Sequence, residues 1–320
     1  MSLLDAGRND GPPVSRREFL NQALAAASAT ALAGSSVWSA SGAEPAPASP
    51  IVVFSKVYQE LSLGFDEAAA TTAEAGLAGV DPPVRTGGEI LPERAAEELP
   101  RYVEALRRRG LSMPLLTTGI TSVDSPQTET ILRTARAAGA QYYRLGFIER
   151  RKEDSSGAQV REVRAQLKDL AVLNRQVGIG ALLQNHSPAG KTYFGGDLSE
   201  LAATVEGFDP AQIGVAFDIA HALVVHGDDW RKYFERLKPH FKIAYIKDVK
   251  RAGRWVPFGQ GDIGNCGYFK QLKELGYRAP ISLHIEFDWT DGGKQKNREA
   301  LVRTLRESSG VLRRWLEQSA

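Results

Sequence analysis

Four short clusters in the C-terminal half of the chain gather side chains able to move protons: Gln184-Asn185-His186, Asp218 and His221 within FDIAH, Tyr245 and Lys247-Asp248 within YIKD, and His284 with Glu286. Carboxylates and imidazoles are the common agents of general acid–base catalysis, and an ammonium can stabilise a developing oxyanion. Each cluster closes a short β-branched or apolar run. Side chains alternate along a strand, so Gln184 and His186 share a face, as do Tyr245 and Lys247, and His284 and Glu286. If those faces point into one enclosure, the groups converge. Three of the five histidines, His186, His221 and His284, stand at such ends, while His226 follows the sixth run and His240 precedes the seventh. Plainer roles compete: a hydrogen-bonded core histidine, Asp218 as a helix N-cap three residues before His221, Lys247-Asp248 as a loop ion pair. Arg85, in VRTGG, could lid the mouth and bind sugar hydroxyls or a carboxylate, while Trp255, Phe258 and Trp289 offer faces for a sugar ring.

The elements that would position these groups alternate throughout. Strand-like runs are expected at Ile51 to Phe54, Leu77 to Val80, Met113 to Thr117, Tyr142 to Gly146, Ile179 to Gln184, Ile213 to Phe217, Ile243 to Ile246 and Ile281 to Ile285. Helical stretches follow them, from Phe65 to Ala75, Glu93 to Arg109, Ser125 to Ala138, Gln159 to Gln176, Leu198 to Val205, Asp229 to Leu237, Tyr268 to Leu275 and Arg298 to Glu317. Gly76, Gly110, Gly139, Gly178 and Gly276 end five of them, as left-handed caps do. Eight such units imply an α/β fold, a single (β/α)8 TIM barrel. The first strand is not followed by a G-x-G-x-x-G turn, which argues against an open dinucleotide-binding sheet. In such barrels the residues at the C-terminal strand ends build the active site.

Composition narrows the partners. The chain has 320 residues with 40 Lys+Arg against 38 Asp+Glu, a net charge of +2, so no strong field draws nucleic acid or an anionic membrane. A small neutral substrate suits that balance. The single cysteine, Cys266, excludes an intrachain disulfide and a thiolate metal cage. At the N-terminus Ser15-Arg16-Arg17-Glu18-Phe19-Leu20, a weakly apolar Ala/Ser/Thr run and Ser41-Gly42-Ala43 follow the order of a twin-arginine signal peptide. Residues 1–43 are therefore expected to be the signal, 44–50 a Pro/Ala linker and 51–320 the barrel, exported to the periplasm or beyond, with no membrane association after cleavage. Export favours an unphosphorylated sugar, keto sugar or polyol. Barrels of this kind often pair as homodimers.

FDIAH, YIKD, PFGQGDIG and ISLHIEF, with DPPVRTGGEILPER from Asp81 to Arg94, resemble the corresponding segments of the xylose isomerase-like barrels, the sugar phosphate isomerase/epimerase family, over most of Ile51 to the end. That resemblance implies a divalent metal ion (Mn, Zn, Co or Mg) held by a Glu, an Asp, a His and a Glu from the last four strands. Asp218 and Glu286 match, whereas Gln184 stands for the first Glu and Tyr245 for the His; His221 could complete a rearranged set of Asp218, Glu286, Gln184 and His221. A family epimerase uses two glutamates on opposite faces of the reacting carbon, and Gln184 cannot act as one. The resemblance thus implies one-base chemistry, isomerisation or β-elimination, with Glu286 as base, Lys247 stabilising the oxyanion, and His186 and His221 moving protons. Arg85, His284, Tyr245 and Trp255 are expected to bind substrate. The alternative is a non-catalytic carbohydrate-binding barrel that has lost part of the metal site; a metal-dependent endonuclease would need a basic groove that the composition does not offer.

Overall fold

The computed structural model describes residues 49–151, 156–188, 192–290 and 296–318. The expected signal peptide and the linker as far as residue 48 lie outside the described residues. Nine strands form one parallel sheet: β1 (Ile51–Phe54), β2 (Gly79–Asp81), β3 (Pro83–Val84), β4 (Leu115–Thr118), β5 (Tyr142–Arg144), β6 (Gly180–Gln184), β7 (Ile213–Asp218), β8 (Phe241–Ile246) and β9 (Ile281–Leu283). Their order is β2-β1-β9-β8-β7-β6-β5-β4-β3. The two ends of that order, β2 at the expected second strand and β3 just beyond it, are separated in sequence by Pro82 alone, so the sheet wraps round until it meets itself there. Proline has no N–H to give a ladder, but its carbonyl still accepts one, from Thr117 N at 2.9 Å. On the other side of the break Gly79 bridges Ser112, where a Cβ would lie 1.9 Å from the Ser112 carbonyl oxygen.

Helices cover the outside: α1 (Lys56–Gln59), α2 (Phe65–Glu74), α3 (Ala95–Arg107), α4 (Thr128–Ala137), α5 (Ser156–Val177), α6 (Leu198–Val205), α7 (Ile219–His226), α8 (Trp230–Leu237), α9 (Tyr268–Glu274) and α10 (Arg298–Gln318). The expected strands and helices are present with ends shifted by a few residues. Gly76, Gly110, Gly139, Gly178 and Gly276 all have positive φ, so the chain turns at each as a cap requires. Helix α7 was not expected: IAHALVVH is apolar on nearly every side and starts directly after a strand, so it carries no helical period.

Strand alternation produces two cores. Val53, Val80, Leu116, Ala181, Val215, Ala244 and Leu283 face outward onto the helices. Val52, Leu115, Leu182, Ala216, Ile243 and Tyr245 face inward and fill the barrel. Counting two residues beyond the last inward apolar position of each of these strands gives Phe54, Thr117, Gln184, Asp218 and Lys247, with Arg144 two beyond the half-buried Tyr142. The polar layer above the apolar plug therefore follows from the period of the strands.

Candidate active site

A cavity of about 620 Å³ opens at the C-terminal strand ends, lined by Phe54, Lys56, Arg85, Arg144, Phe147, Gln184, His186, His221, Lys247, Trp255, His284 and Glu286 among others. Its organising residue is Asp218, the buried end of β7. One oxygen, Oδ1, caps α7 by accepting from His221 N at 3.2 Å. The other, Oδ2, accepts from Gln184 Nε2 at 3.0 Å and pairs with Lys247 Nζ at 3.0 Å. Asn185 binds the same residue's backbone on both sides, Nδ2 to the Asp218 carbonyl and Oδ1 from its N–H, each at 2.8 Å, which locks the ends of β6 and β7 together. The N-cap expected as an alternative for Asp218 is present on one oxygen, and an ion pair that the sequence did not suggest is on the other. Lys247 pairs with Asp218 rather than with its neighbour Asp248, and its ammonium lies 5.0 Å from the centre of the Trp255 ring.

The three cavity imidazoles are neutral. Burial, then the Lys247 charge, pull His186 down to about 4. Burial and Lys247 hold His221 and His284 well below the ordinary value for the same reasons. Hydrogen bonding assigns two tautomers. His186 Nδ1 lies 2.6 Å from the Ser187 carbonyl, which can only accept, so Nδ1 carries the proton and Nε2 a lone pair. Ser282 Oγ donates to Asp81 Oδ2 at 2.9 Å, so at 3.2 Å from Ser282 Oγ it is His284 Nε2 that donates, leaving Nδ1 unprotonated. That ring is stacked on Phe54 and meets Tyr245 at a 45° tilt, with Nδ1 4.0 Å from Glu286 Oε1. His221 packs against His186 at a 37° tilt with ring centres 3.8 Å apart, and Ser187 Oγ meets its Nδ1 at 2.7 Å. Its Nε2 is buried without a hydrogen-bond partner, 3.7 Å from Asp218 Oδ2.

Tyr245 does not reach the cavity. It belongs to the apolar plug, with its hydroxyl 3.4 Å from Thr117 Oγ1, because it stands two residues deeper than Lys247 on the same inward face. Below the cavity Asp81 accepts from Thr117 and Ser282, and burial raises it to about 6. Glu286 faces the cavity at its rim, its side chain 26 % exposed and 3.7 Å from Lys56 Nζ. The reading of the clusters passed over Arg144, Phe54 and Lys56. Arg144 had a signal, a lone charge inside an otherwise uncharged strand.

The residues do not fit the expected divalent ion. A hard cation needs several oxygen or imidazole donors converging on one point. Here the free oxygen of Asp218 already carries an ammonium, the Gln184 group turned toward it is the NH2 donor, and Tyr245 lies in the plug. Among the described residues no group of three or more His, Cys, Asp or Glu is placed to hold a metal. The set Asp218, Glu286, Gln184 and His221 is thus not assembled as ligands, because Lys247 supplies the positive charge at that carboxylate.

The family model described as xylose isomerase-like TIM barrel matches residues 69–314. Among solved structures, D-psicose 3-epimerase from Clostridium cellulolyticum H10, in structures with D-tagatose, superposes with a TM-score of 0.62 at 12% identity, covering 83% of this chain and 99% of that one. A xylose isomerase domain protein from Alicyclobacillus acidocaldarius gives 0.62 at 17% identity, covering 85% and 99%. A xylose isomerase-like TIM barrel protein from Mycobacterium smegmatis, in complex with magnesium, gives 0.60 at 14% identity, covering 85% and 98%. At such identities these structures share the fold. No curated protein sequence matches the chain.

Proposed function

The chain belongs to the xylose isomerase-like TIM barrel family, and from that membership and the cavity we propose a sugar isomerase or epimerase that removes a proton next to a carbonyl. The observation that carries this reading is the Lys247 ammonium, anchored on Asp218 in the same cavity as the Glu286 carboxylate. Glu286 takes the proton from carbon, the C–H electrons form a C=C bond, and the carbonyl π pair moves onto oxygen. The enediolate oxygen sits against Lys247, whose charge is stronger in a buried cavity than in water. Return of the proton to the neighbouring carbon gives isomerisation, and the neutral imidazoles of His186 and His221 carry the hydroxyl proton between the two oxygens. Gln184 offers no base on the opposite side, which favours this one-base transfer over a two-base inversion.

Deuterium incorporation at carbon, followed by NMR on sugars incubated with the protein in D2O, tests the reading. Wild-type protein should exchange one carbon-bound proton, Glu286→Gln should abolish exchange, and Lys247→Met should slow it by about 10²–10³-fold. Exchange at the wild-type rate in Glu286→Gln would refute it. We also propose export through the twin-arginine segment: fractionation should recover a periplasmic protein beginning near Glu44, and a full-length cytoplasmic product alone would overturn that.

A further inference from the structure

Charges around the cavity do not balance. Lys56, Arg85, Arg144 and Lys247 line it against the single lining carboxylate of Glu286. Lys247 is paired with Asp218 behind the wall and Lys56 faces Glu286. Arg85 and Arg144 have no carboxylate oxygen within 4.0 Å among the described residues. Arg144 is nearly fully buried, donates from one nitrogen to the Leu145 carbonyl at 2.7 Å, and lies 4.4 Å over the Phe147 ring. Burial, with the Arg85 charge adding to it, brings Arg144 only down to about 10, so its guanidinium is charged at neutral pH, and the Arg85 guanidinium keeps its proton as arginine does in proteins. Asp81, beneath them, accepts from Thr117 and Ser282 and attracts both guanidinium groups through space, and Glu286 attracts Arg85, so Asp81, Asp218 and Glu286 stand against four cations and one positive charge is in excess. The two guanidinium groups line one cavity and repel each other, one of them in a buried place, and an anion bound there would relieve that repulsion.

We propose that the molecule turned over in this cavity carries an oxyanion group, a sugar carboxylate or a phosphate ester, bound between Arg85 and Arg144. The inference rests on the sugar isomerase reading for the reaction and adds the charge class of the substrate. A planar guanidinium can give two parallel hydrogen bonds to an oxyanion with two acceptor oxygens, and Arg85, on the short loop after β3, lines the same cavity as Arg144. A neutral hydroxyl would leave the cationic excess of the cavity in place. Net charge across the whole chain, which pointed to a neutral sugar, averages over a surface that the substrate does not touch.

Calorimetric titration of the full chain with D-glucuronate and D-galacturonate, with D-glucose 6-phosphate, and with D-glucose and D-galactose tests the proposal. Expected is an anionic sugar binding about 10-fold or more tightly than its neutral counterpart, a gap that closes in folded Arg85→Gln, partly returns in Arg85→Lys and narrows with added salt. Uronates showing the gap identify a carboxylate, and the phosphate ester showing it identifies a phosphate. Equal affinity for neutral and anionic sugars, no binding of any anionic sugar, or a gap unchanged in Arg85→Gln overturns it. The D2O exchange assay on the same sugars separates the two readings. Arginine-dependent anion preference without exchange would leave this proposal standing and defeat the isomerase, whereas exchange on neutral sugars without charge preference would do the reverse.

Discussion

Lys247 sets the electrostatics of its neighbours. Its charge is the second cause, after burial, of the depressed His186 value of about 4. Lys247→Met should therefore raise the His186 titration midpoint toward 6.5, read from the imidazole ring resonances, while an unchanged midpoint would place the ammonium away from that ring. The same ammonium makes a second expectation concrete. Because it occupies the Asp218 oxygen that a divalent ion would need, dialysis against a chelator should leave both melting temperature and deuterium exchange unchanged, and a loss of either on metal removal would show a ligand set the described residues do not assemble. The residue types in these clusters were legible before any fold was known. Their partners were not, since Asp218 and Lys247 stand 29 positions apart on adjacent strands while Asp248 is the sequence neighbour.

At the scale of elements, Asp248 holds the loop that presents Trp255. Its carboxylate accepts the backbone N–H groups of Val249 at 2.9 Å, Gly259 at 2.8 Å, Gly261 at 2.9 Å and Ile263 at 3.3 Å. Gly261 is required there, because a Cβ would fall 2.0 Å from Asp248 Oδ1. Asp248→Ala leaves those donors without their acceptor and should cost about 3 kcal/mol or more in denaturant unfolding, with faster amide exchange at Gly259 and Gly261. A loss of stability without faster exchange at those glycines would assign the residue to the barrel rather than to the loop. Gly259-Gln260-Gly261 is legible in the sequence as a turn. Which carboxylate its amides would bind is not, since loop geometry depends on the strand it leaves.

Across the whole molecule, buried titratable groups act on stability in opposite directions. The imidazoles of His186, His221 and His284 are depressed below 6.5, so as pH falls the unfolded chain takes up protons first and stability is lost below about 6.5. Asp81 and Glu89 are raised to about 6 and about 7, mainly by burial; their contribution is present at low pH and is lost as pH rises through those values. His284→Gln, which keeps a donor for Ser282, removes one imidazole from that balance. Between pH 6.5 and 5 wild-type protein should lose up to about 2 kcal/mol relative to this variant in urea unfolding, and parallel pH profiles would show that His284 titrates as in the unfolded chain.

The eight-fold alternation of strand and helix, the glycine caps and the period of two within each strand were properties of the sequence alone. They suffice to put Gln184, Asp218, Lys247, His284 and Glu286 at one end of a barrel, because periodicity and capping are local consequences of backbone geometry. Burial depth and pairing were decided by the tertiary structure. Tyr245 and Lys247 share a face, yet one fills the plug and the other lines the cavity, and no local pattern states where the apolar layer ends. Arg144 became part of the site, and the expected metal set became a lysine–aspartate pair, only when strands distant in sequence were brought side by side. Charge interactions depend on distance through space and on the solvent excluded between groups, and both come into being with the closed barrel.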